Sequence, residues 1–313
     1  IFGLLIIVAI IALFSASSTL VYSHRSALGP IGQQMFFIVL GVIAAYGIQF
    51  IPTYWVRFGG YILLGLSTLL VYSTIIPGNP FVVTINGAAR WVRIVGITFQ
   101  PSELAKLSLI IVIADQLARI HSEEDKRKYF YRTLIIAGVV MLPIMASNLS
   151  TAVLIGLIVF FLWILARIPW KYTMSVVGIA VVVLTLGYLI VEFGFVRPKR
   201  DMHGPFKRAT TWVSRIDRHF ADDENTSKYK LTDENIQEVY ASVAIARGGA
   251  SPLGVLPGNS KERDYLPLAF ADYIFAIIVE ESGVLGATLV IFLYLAILFR
   301  ASNISSRYSD MPA

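Results

Sequence analysis

Long apolar runs alternate with short polar segments along most of this chain. Eight of the runs are long enough to cross a bilayer as helices, because about 20 apolar residues span its hydrocarbon core. The runs lie at 1–21, 34–51, 60–76, 102–120, 133–148, 150–166, 173–195 and 272–299. This pattern predicts an all-α polytopic membrane protein with about eight transmembrane helices. The run at 1–21 is predicted to be a retained helix and not a signal peptide, with a short leader expected before it.

The charged residues of the short loops predict which side of the membrane each loop faces. Ten Lys and Arg residues fall on one face and three on the other. Loops rich in Lys and Arg stay in the cytoplasm, so both ends of the chain are predicted to be cytoplasmic. The predicted organisation is a seven-helix region at 1–195, a large extracytoplasmic loop at 196–271, and an eighth helix with a cytoplasmic tail at 272–313.

Composition agrees with a membrane protein and excludes some chemistry. Hydrophobic residues make up 56% of the chain and the mean hydropathy is +0.70. The absence of cysteine excludes disulfides and thiolate metal sites, and the four histidines are not spaced as a His-x-x-x-His pair. The net charge of +6 lies mainly in short loops, where it indicates membrane orientation, so we predict no nucleic-acid partner.

The segment from Gly254 to Gly286 carries the most unusual charges. It begins as a loop with Lys261 and Arg263 and then becomes an apolar run that contains Glu280 and Glu281. An unpaired charge inside the bilayer costs at least a few kcal/mol, so carboxylates in such a run indicate a function or a partner. Glu280 falls roughly on the same helix face as Asp272, and Glu281 is rotated by about 100° from it. One of the two glutamates is therefore expected to share a cavity with Asp272 and the other to meet a neighbouring helix.

Asp272 lies where this loop meets the apolar run. A carboxylate in the first turn of a helix is stabilised by free N–H groups and by the helix dipole. A partly desolvated carboxylate beside cations also suits a general base or a substrate contact. The local sequence leaves both interpretations open.

Two further charge pairs fall on the predicted helix at 102–120. Glu103 and Lys106 are three residues apart just after Pro101, so they share one helix face and can pair. They either join two helices or line a polar cavity. Asp115 and Arg119 form an i,i+4 pair near the cytoplasmic end, which we predict to be a solvated cap.

An outward loop at 77–101 carries Arg90, Trp91 and Arg93. The tryptophan can belong to the interfacial aromatic belt, and an arginine can reach lipid headgroups. Guanidinium groups also bind phosphate oxygens in bidentate fashion. Both interpretations stay open here. Farther along, the spacing of apolar residues from Asn235 to Ala246 predicts a short amphipathic helix that can lie on the membrane surface.

Five motifs, in order from residue 86 to residue 286, resemble those of the SEDS family of shape, elongation, division and sporulation proteins, of FtsW and RodA type. The motifs are Asn86-Gly87-Ala88-Ala89-Arg90-Trp91, Phe99-Gln100-Pro101-Ser102-Glu103-Leu104-Ala105-Lys106, Ala244-Ile245-Ala246-Arg247-Gly248-Gly249, Pro257-Gly258-Asn259-Ser260, and Tyr265-Leu266-Pro267 followed by Ala271-Asp272-Tyr273 through Glu280-Glu281-Ser282-Gly283. The Gly-Asn-Ser loop is more similar to the division branch, FtsW, than to the elongation branch.

The resemblance implies a peptidoglycan glycosyltransferase that polymerises lipid II on the outer face of the bacterial inner membrane. The essential acidic residue of the family falls on Asp272, and its paired acid and base fall on Glu103 and Lys106. The implied partners are a class B penicillin-binding protein, other divisome or elongasome membrane proteins, and membrane lipid. No cofactor is certain, and a divalent cation, Mg or Mn, stays open.

Chemistry adds candidates for holding the substrate. A leaving pyrophosphate needs its charge neutralised, and the candidate cations are Arg90, Arg93, Lys261, Arg263 and Lys106. Other candidate contacts of the substrate are Asn259, Ser260 and Glu280. The rival hypotheses are a flippase for lipid-linked precursors, which would line a path with the same residues, and a non-catalytic division scaffold.

Two departures from the family pattern stand out. Asn148 stands where the family usually has an aspartate, in Ser147-Asn148-Leu149-Ser150-Thr151-Ala152. Family members normally have ten spanning helices, whereas about eight are predicted here.

Overall fold

A computed structural model describes residues 1–16, 28–76, 78–85, 88–94, 96–196, 210, 213, 236–262 and 273–308. Two compact units divide the chain, and each is described by itself. The first unit combines Ile1–Phe50 with Asp223–Pro312, and the second is Ile51–Asp222. The predicted boundaries at residues 195 and 271 separate membrane-spanning from extracytoplasmic segments, and they stay a prediction.

Nine α-helices occur in the described part of the chain. They are α1 (Phe2–Ala16), α2 (Leu28–Gly47), α3 (Thr53–Ser73), α4 (Pro101–Leu117), α5 (Glu123–Ser147), α6 (Leu149–Leu165), α7 (Trp170–Val191), α8 (Ile236–Gly249) and α9 (Ile274–Tyr308). A 3-10 turn at Ile48–Phe50 follows α2, and α7 continues as a π-helical turn at Glu192–Val196.

Each of the eight predicted apolar runs overlaps one of these helices. Four helical segments are long and apolar enough to cross a membrane: Thr53–Ser73, Glu123–Ser147, Trp170–Val196 and Ile274–Ile304. Three shorter apolar segments are Phe2–Ser15, Met35–Phe50 and Leu149–Leu165. The fold is therefore that of a multi-pass helical membrane protein, and the count of eight crossings stays a prediction.

A small antiparallel sheet occupies much of the predicted outward loop at 77–101. Its strands, in spatial order, are β1 (Val82–Ile85), β2 (Ala88–Ile94) and β3 (Ile97–Phe99). Valine, isoleucine, threonine and tryptophan dominate these short strands, and such residues suit a pleated surface. Gly96 supplies the positive φ of 80° in the turn between β2 and β3. This sheet is an addition to the all-α prediction.

The core of the second unit lies where α3, α4, α5 and α6 pack together. Leu109 and Ile113 of α4, Ile144 of α5 and Ile155 of α6 are almost completely buried in it. The indole N–H of Trp163 donates to the hydroxyl of Thr133 at 2.9 Å, so this buried donor is satisfied. The sheet meets this core through β2, which contacts α4 and α5.

Asn148 has a defined structural role at the junction of α5 and α6. Its side-chain oxygen accepts the backbone N–H of Thr151 at 3.2 Å, so Asn148 is the N-cap of α6. Asparagine and aspartate are about equally good N-caps. The departure from the family aspartate therefore preserves this cap.

In the first unit, α8 packs directly against α9. The predicted helix at 235–246 is confirmed, but its packed face consists of the small residues Ala241, Ala244 and Gly248. A Cβ at Gly248 would lie 2.0 Å from the carbonyl oxygen of Val279. Small residues let helix backbones approach this closely.

A break in α9 receives the loop that follows α8. Gly283 has φ 66° and ψ −162°, which interrupts the helical backbone. The loop fills the gap, because the N–H of Val255 donates to the carbonyl of Glu280 at 2.9 Å and the N–H of Leu285 donates to the carbonyl of Pro252 at 3.1 Å. Backbone groups released by the break are thus paired inside the protein, as an apolar environment requires.

Candidate active site

Two adjacent carboxylates lie in the interior of the first unit, one turn before the break in α9. Glu280 has 0% of its surface exposed and Glu281 has 3%. Buried carboxylates are stable only when several donors or a cation satisfy them. Their partners come from α1, α8 and the loop after α8.

Glu280 binds the end of α8 and the loop at once. Its Oε1 accepts Nη1 of Arg247 at 3.3 Å and the backbone N–H of Lys261 at 3.2 Å. Its Oε2 accepts the hydroxyl of Ser260, which is itself buried. The carboxylate therefore connects α9, α8 and residues 260–261.

Glu281 points toward different partners. Its Oε1 accepts the hydroxyl of Ser15 on α1 and the backbone N–H of Gly258, the latter at 3.0 Å. Glu281 thus meets the neighbouring helix α1, and Glu280 likewise meets α8 through Arg247, so both glutamates make the helix contact that was expected of one. A cavity shared with Asp272 stays a prediction, because Asp272 lies outside the described residues. A small apolar cavity of about 180 Å³ lies beside Glu281, between α1, Pro257 and α9.

A third carboxylate borders this network from the loop. Glu262 Oε1 lies 3.8 Å from Nη1 of Arg247, and its side chain is 13% exposed. Burial, followed by the nearby charge of Glu280, raises the pKa of Glu262 above its ordinary value, while Arg247 and Lys261 oppose the shift.

In the second unit, the predicted pairing of Glu103 with Lys106 is confirmed. Their Oε2 and Nζ atoms are 2.7 Å apart, with 55% of the Glu103 side chain and 26% of the Lys106 side chain exposed. Pro101 occupies the first turn and Glu103 lies in it, as a helix start with a favourable dipole requires. Exposure of Glu103 within its unit argues against a role in packing two helices, so contact with a substrate stays the prediction.

Strand β2 brings arginine and tryptophan side chains to the same unit. The Nε of Arg90 and the Nε1 of Trp91 are buried and have no hydrogen-bond partner among the residues that the structure describes. Arg93 is exposed, and its Nε donates to the hydroxyl of Thr98 at 3.1 Å. Buried donors normally have an acceptor, so Arg90 and Trp91 can each donate one further hydrogen bond.

The prediction of a solvated Asp115–Arg119 pair is wrong for the aspartate. Asp115 is 6% exposed, and Tyr61 and Arg57 of α3 cover it. The Tyr61 hydroxyl donates to Asp115 at 2.8 Å, Arg119 lies at 2.7 Å and Arg57 at 3.4 Å. This cluster joins α3 to α4, and its only local sequence signal was Arg119, one turn after Asp115 on α4.

Two predicted site residues, Asp272 and Arg263, fall outside the described part of the chain. Asn259 and Lys261 are exposed on the loop, whereas Ser260 and Glu280 are bonded to each other in the interior. Among the described residues, no group of three or more His, Asp or Glu is arranged to hold a metal ion.

These features define a class of protein: a multi-pass membrane protein whose buried carboxylates fasten a loop to its helices. The chain belongs to the FtsW/RodA/SpoVE family of cell cycle proteins, whose sequence profile matches residues 1–312.

Two relatives have the same sequence identity to this chain. The chain is 29% identical over 317 residues to the probable peptidoglycan glycosyltransferase FtsW of Enterococcus hirae, covering 98% of this chain and 74% of that protein. It is 29% identical over 274 residues to the probable peptidoglycan glycosyltransferase FtsW of Aliivibrio salmonicida, covering 86% of this chain and 61% of that protein. The chain thus spans three fifths to three quarters of the length of these relatives.

A solved structure has the same fold. The chain aligns with a chain of a peptidoglycan synthase complex, determined to show how polymerization and crosslinking are coordinated, with a TM-score of 0.59. The alignment covers 96% of this chain and 76% of that chain at 22% identity. This likeness supports the fold alone.

Proposed function

We propose that this protein is a peptidoglycan glycosyltransferase that polymerises lipid II during bacterial cell division or elongation. The single observation that carries the proposal is the family match, which extends over residues 1–312. The named relatives are probable peptidoglycan glycosyltransferases of FtsW type, which favours the division branch.

The proposed reaction is one displacement at an anomeric carbon. Lipid II carries its sugar on an α-linked pyrophosphate, and forming a β-1,4 bond inverts that centre. The acceptor 4-hydroxyl oxygen bonds to C1 while the bond from C1 to the pyrophosphate oxygen breaks. Asp272 takes the hydroxyl proton as general base, and the pyrophosphate leaves with the bonding electrons. The assignment of Asp272 comes from the family resemblance.

Each unit contains candidate cations for neutralising the charge of the pyrophosphate, and each unit is considered by itself. In the second unit, Arg90 supports this role best, because its buried Nε has no acceptor among the described residues. A guanidinium whose buried Nε–H lacks an acceptor favours an anionic oxygen. Arg93 and Lys106 are further candidates there, and Lys106 is already paired with Glu103.

In the first unit, Lys261 and Asn259 are the described candidates for substrate contact, because both are exposed on the loop. Arg263 belongs to the same proposal and lies outside the described residues. A divalent cation, Mg or Mn, stays an open part of the proposal, and no step is routed through it.

The proposal includes a location and partners. The family resemblance implies the bacterial inner membrane and a reaction on its outer side, and the loop charges predict that both ends of this chain are cytoplasmic. A class B penicillin-binding protein would cross-link the new strands. The assignment of this partner comes from the family resemblance of the sequence motifs.

Lipid II polymerisation in detergent separates this proposal from the flippase alternative. An enzyme needs no bilayer to join sugars, whereas a flippase has no sides to connect in a micelle. We expect the purified protein, with its transpeptidase partner, to form glycan strands that resolve as a ladder on a gel. Absence of glycan in micelles, together with lipid II movement across vesicles, would contradict the proposal.

Arg90→Met tests the assignment of the pyrophosphate contact. Losing charge-assisted hydrogen bonds of about 1.5–3 kcal/mol corresponds to a fall of about 10- to 100-fold in polymerisation rate. The matched control is Arg127→Met, because Arg127 is an exposed arginine at the start of α5. Equal rates for the two variants would remove Arg90 from the proposal.

A further inference from the structure

Residues 258–262, here called the anchored segment, contain one buried residue between exposed neighbours. Ser260 is buried with 3% of its surface exposed, while its neighbours Asn259 and Lys261 are exposed. The buried hydroxyl of Ser260 donates to Glu280, so it is occupied by a protein partner. Burial of the central residue therefore turns the two flanking side chains outward.

The anchored segment is connected to three helices through two carboxylates. Glu280 holds Ser260 and the N–H of Lys261 and also binds Arg247 of α8. Glu281 holds the N–H of Gly258 and also binds Ser15 of α1. Because adjacent residues on a helix point about 100° apart, the two glutamates fix the segment from two directions.

The buried carboxylates are better suited to fixing the position of the loop than to stabilising the fold. Carboxylates with 0% and 3% exposure are costly to bury, and apolar residues would fill such a space without that cost. A carboxylate that accepts several hydrogen bonds defines the position of each donor closely. The presence of these buried charges therefore favours a role for the two glutamates in holding the loop in one conformation.

We propose that Glu280, Glu281 and Ser260 are positioning residues that present Asn259 and Lys261 to the lipid-linked substrate. This inference rests on the proposed glycosyltransferase function. Glu280 and Ser260, which the sequence placed among the substrate contacts, then act through the loop and do not touch the substrate.

The first arm of the test measures loop mobility without using activity. These 313 residues contain no cysteine, so a spin label can be attached at Lys261→Cys as the single cysteine of the chain. A second label at Leu253→Cys is the matched control. Leu253 is 59% exposed. The loop around it is held to α9 by backbone hydrogen bonds, in which the Pro252 carbonyl accepts from Leu285 and the Val255 N–H donates to Glu280.

Glu280→Gln should raise label mobility at position 261 and leave the label at 253 unchanged. The amide keeps the shape of the carboxylate and the backbone contacts of residue 280, but it loses the negative charge that Arg247, Ser260 and Lys261 approach. An immobile label at 261 in the folded variant would overturn the inference.

The second arm measures polymerisation kinetics. Ser260→Ala removes the buried donor, and we expect kcat to fall about tenfold with KM changed by less than about threefold, because a misplaced contact raises the barrier more than it weakens binding. Ser260→Thr keeps the hydroxyl and should restore most of kcat. The control is Ser242→Ala, since Ser242 is exposed on α8 and bonds only the carbonyl of Glu238 among the contacts described.

The two arms separate failure of this inference from failure of the proposed function. A wild-type protein that polymerises, with unchanged kcat in Ser260→Ala, would contradict the positioning role. A wild-type protein that makes no glycan would contradict the proposed function and the role in polymerisation, while the labels would still decide whether the glutamates anchor the segment.

Discussion

At the scale of single residues, Asp115 shows how burial depends on distant parts of the sequence. Its covering partners, Arg57 and Tyr61, are 58 and 54 positions away in the chain. The local pattern contains only the i,i+4 arginine, which by itself indicates an exposed pair. The sequence therefore predicted the ion pair with Arg119 but not the cluster that joins two helices.

Replacing Asp115 with asparagine should destabilise the second unit. The variant leaves two guanidinium groups beside a neutral amide, and both are about half exposed, so the cost is moderate at about 1–3 kcal/mol. Thermal unfolding in detergent measures this as a lower Tm. Glu123→Gln, which removes an exposed pair with Lys126, should change stability by less than about 1 kcal/mol. Equal losses of stability in the two variants would contradict the expectation that burial makes the ion pairs of Asp115 more stabilising.

Glu262 makes stability depend on pH with a defined sign. Its folded-state pKa is raised above the ordinary 4.5, so the folded protein holds more protons than the unfolded chain between these two values. This contribution to stability is therefore lost as pH rises through the folded pKa.

Glu262→Gln should remove the loss of stability that the wild type shows as pH rises. The Tm of the variant relative to wild type should increase from below pH 4.5 to neutral pH. Glu238→Gln, at an exposed glutamate of α8, serves as the control and should follow the wild-type profile. A Tm difference for Glu262→Gln that is constant over this range, or that falls with rising pH, would contradict the assignment.

At the scale of elements, long apolar periodicity predicts helices well because it does not depend on distant partners. Every predicted run overlaps a described helix. The short strands at 82–99 were not predicted, because runs of three to seven residues carry too little pattern to stand out from a loop.

The face of α8 that packs was predicted only in part. The apolar positions of its spacing are Ile236, Val239, Tyr240, Val243 and Ile245. Tyr240 packs against the cluster, but Val243 and Ile245 are 40% and 45% exposed, and α9 contacts the small residues of α8. Alanine and glycine give a weak hydrophobic signal, although they allow the closest approach of two helices.

Gly248→Ala should force α8 away from α9. The added Cβ would lie 2.0 Å from the carbonyl oxygen of Val279, so the helices must separate, at a cost of about 1–3 kcal/mol. The neighbouring Gly249→Ala is a matched control, because no atom lies within 4 Å of its added Cβ. Thermal unfolding compares the two, and a larger loss of stability in Gly249→Ala would contradict the packing described.

At the scale of the whole molecule, the motifs from residue 86 to residue 286 are specific enough in combination to indicate the family, and the family match confirms it. The candidate site was predicted less completely. The sequence marked Glu280 and Glu281 as unusual, but their partners Ser15 and Arg247 lie 266 and 33 positions away. Contacts over such distances depend on the fold and cannot be inferred from local spacing.

The central claim is that the protein polymerises lipid II with Asp272 as the base. The most direct measurement compares lipid II polymerisation by the wild type, Asp272→Asn and Asp125→Asn, each purified with the transpeptidase partner. Asp125 lies in the first turn of α5 and is not among the proposed substrate contacts. We predict that the wild type and Asp125→Asn form glycan, while Asp272→Asn slows by about 100-fold or more, the usual effect of losing a general base. Glycan formation at the wild-type rate by a folded Asp272→Asn protein would contradict the account.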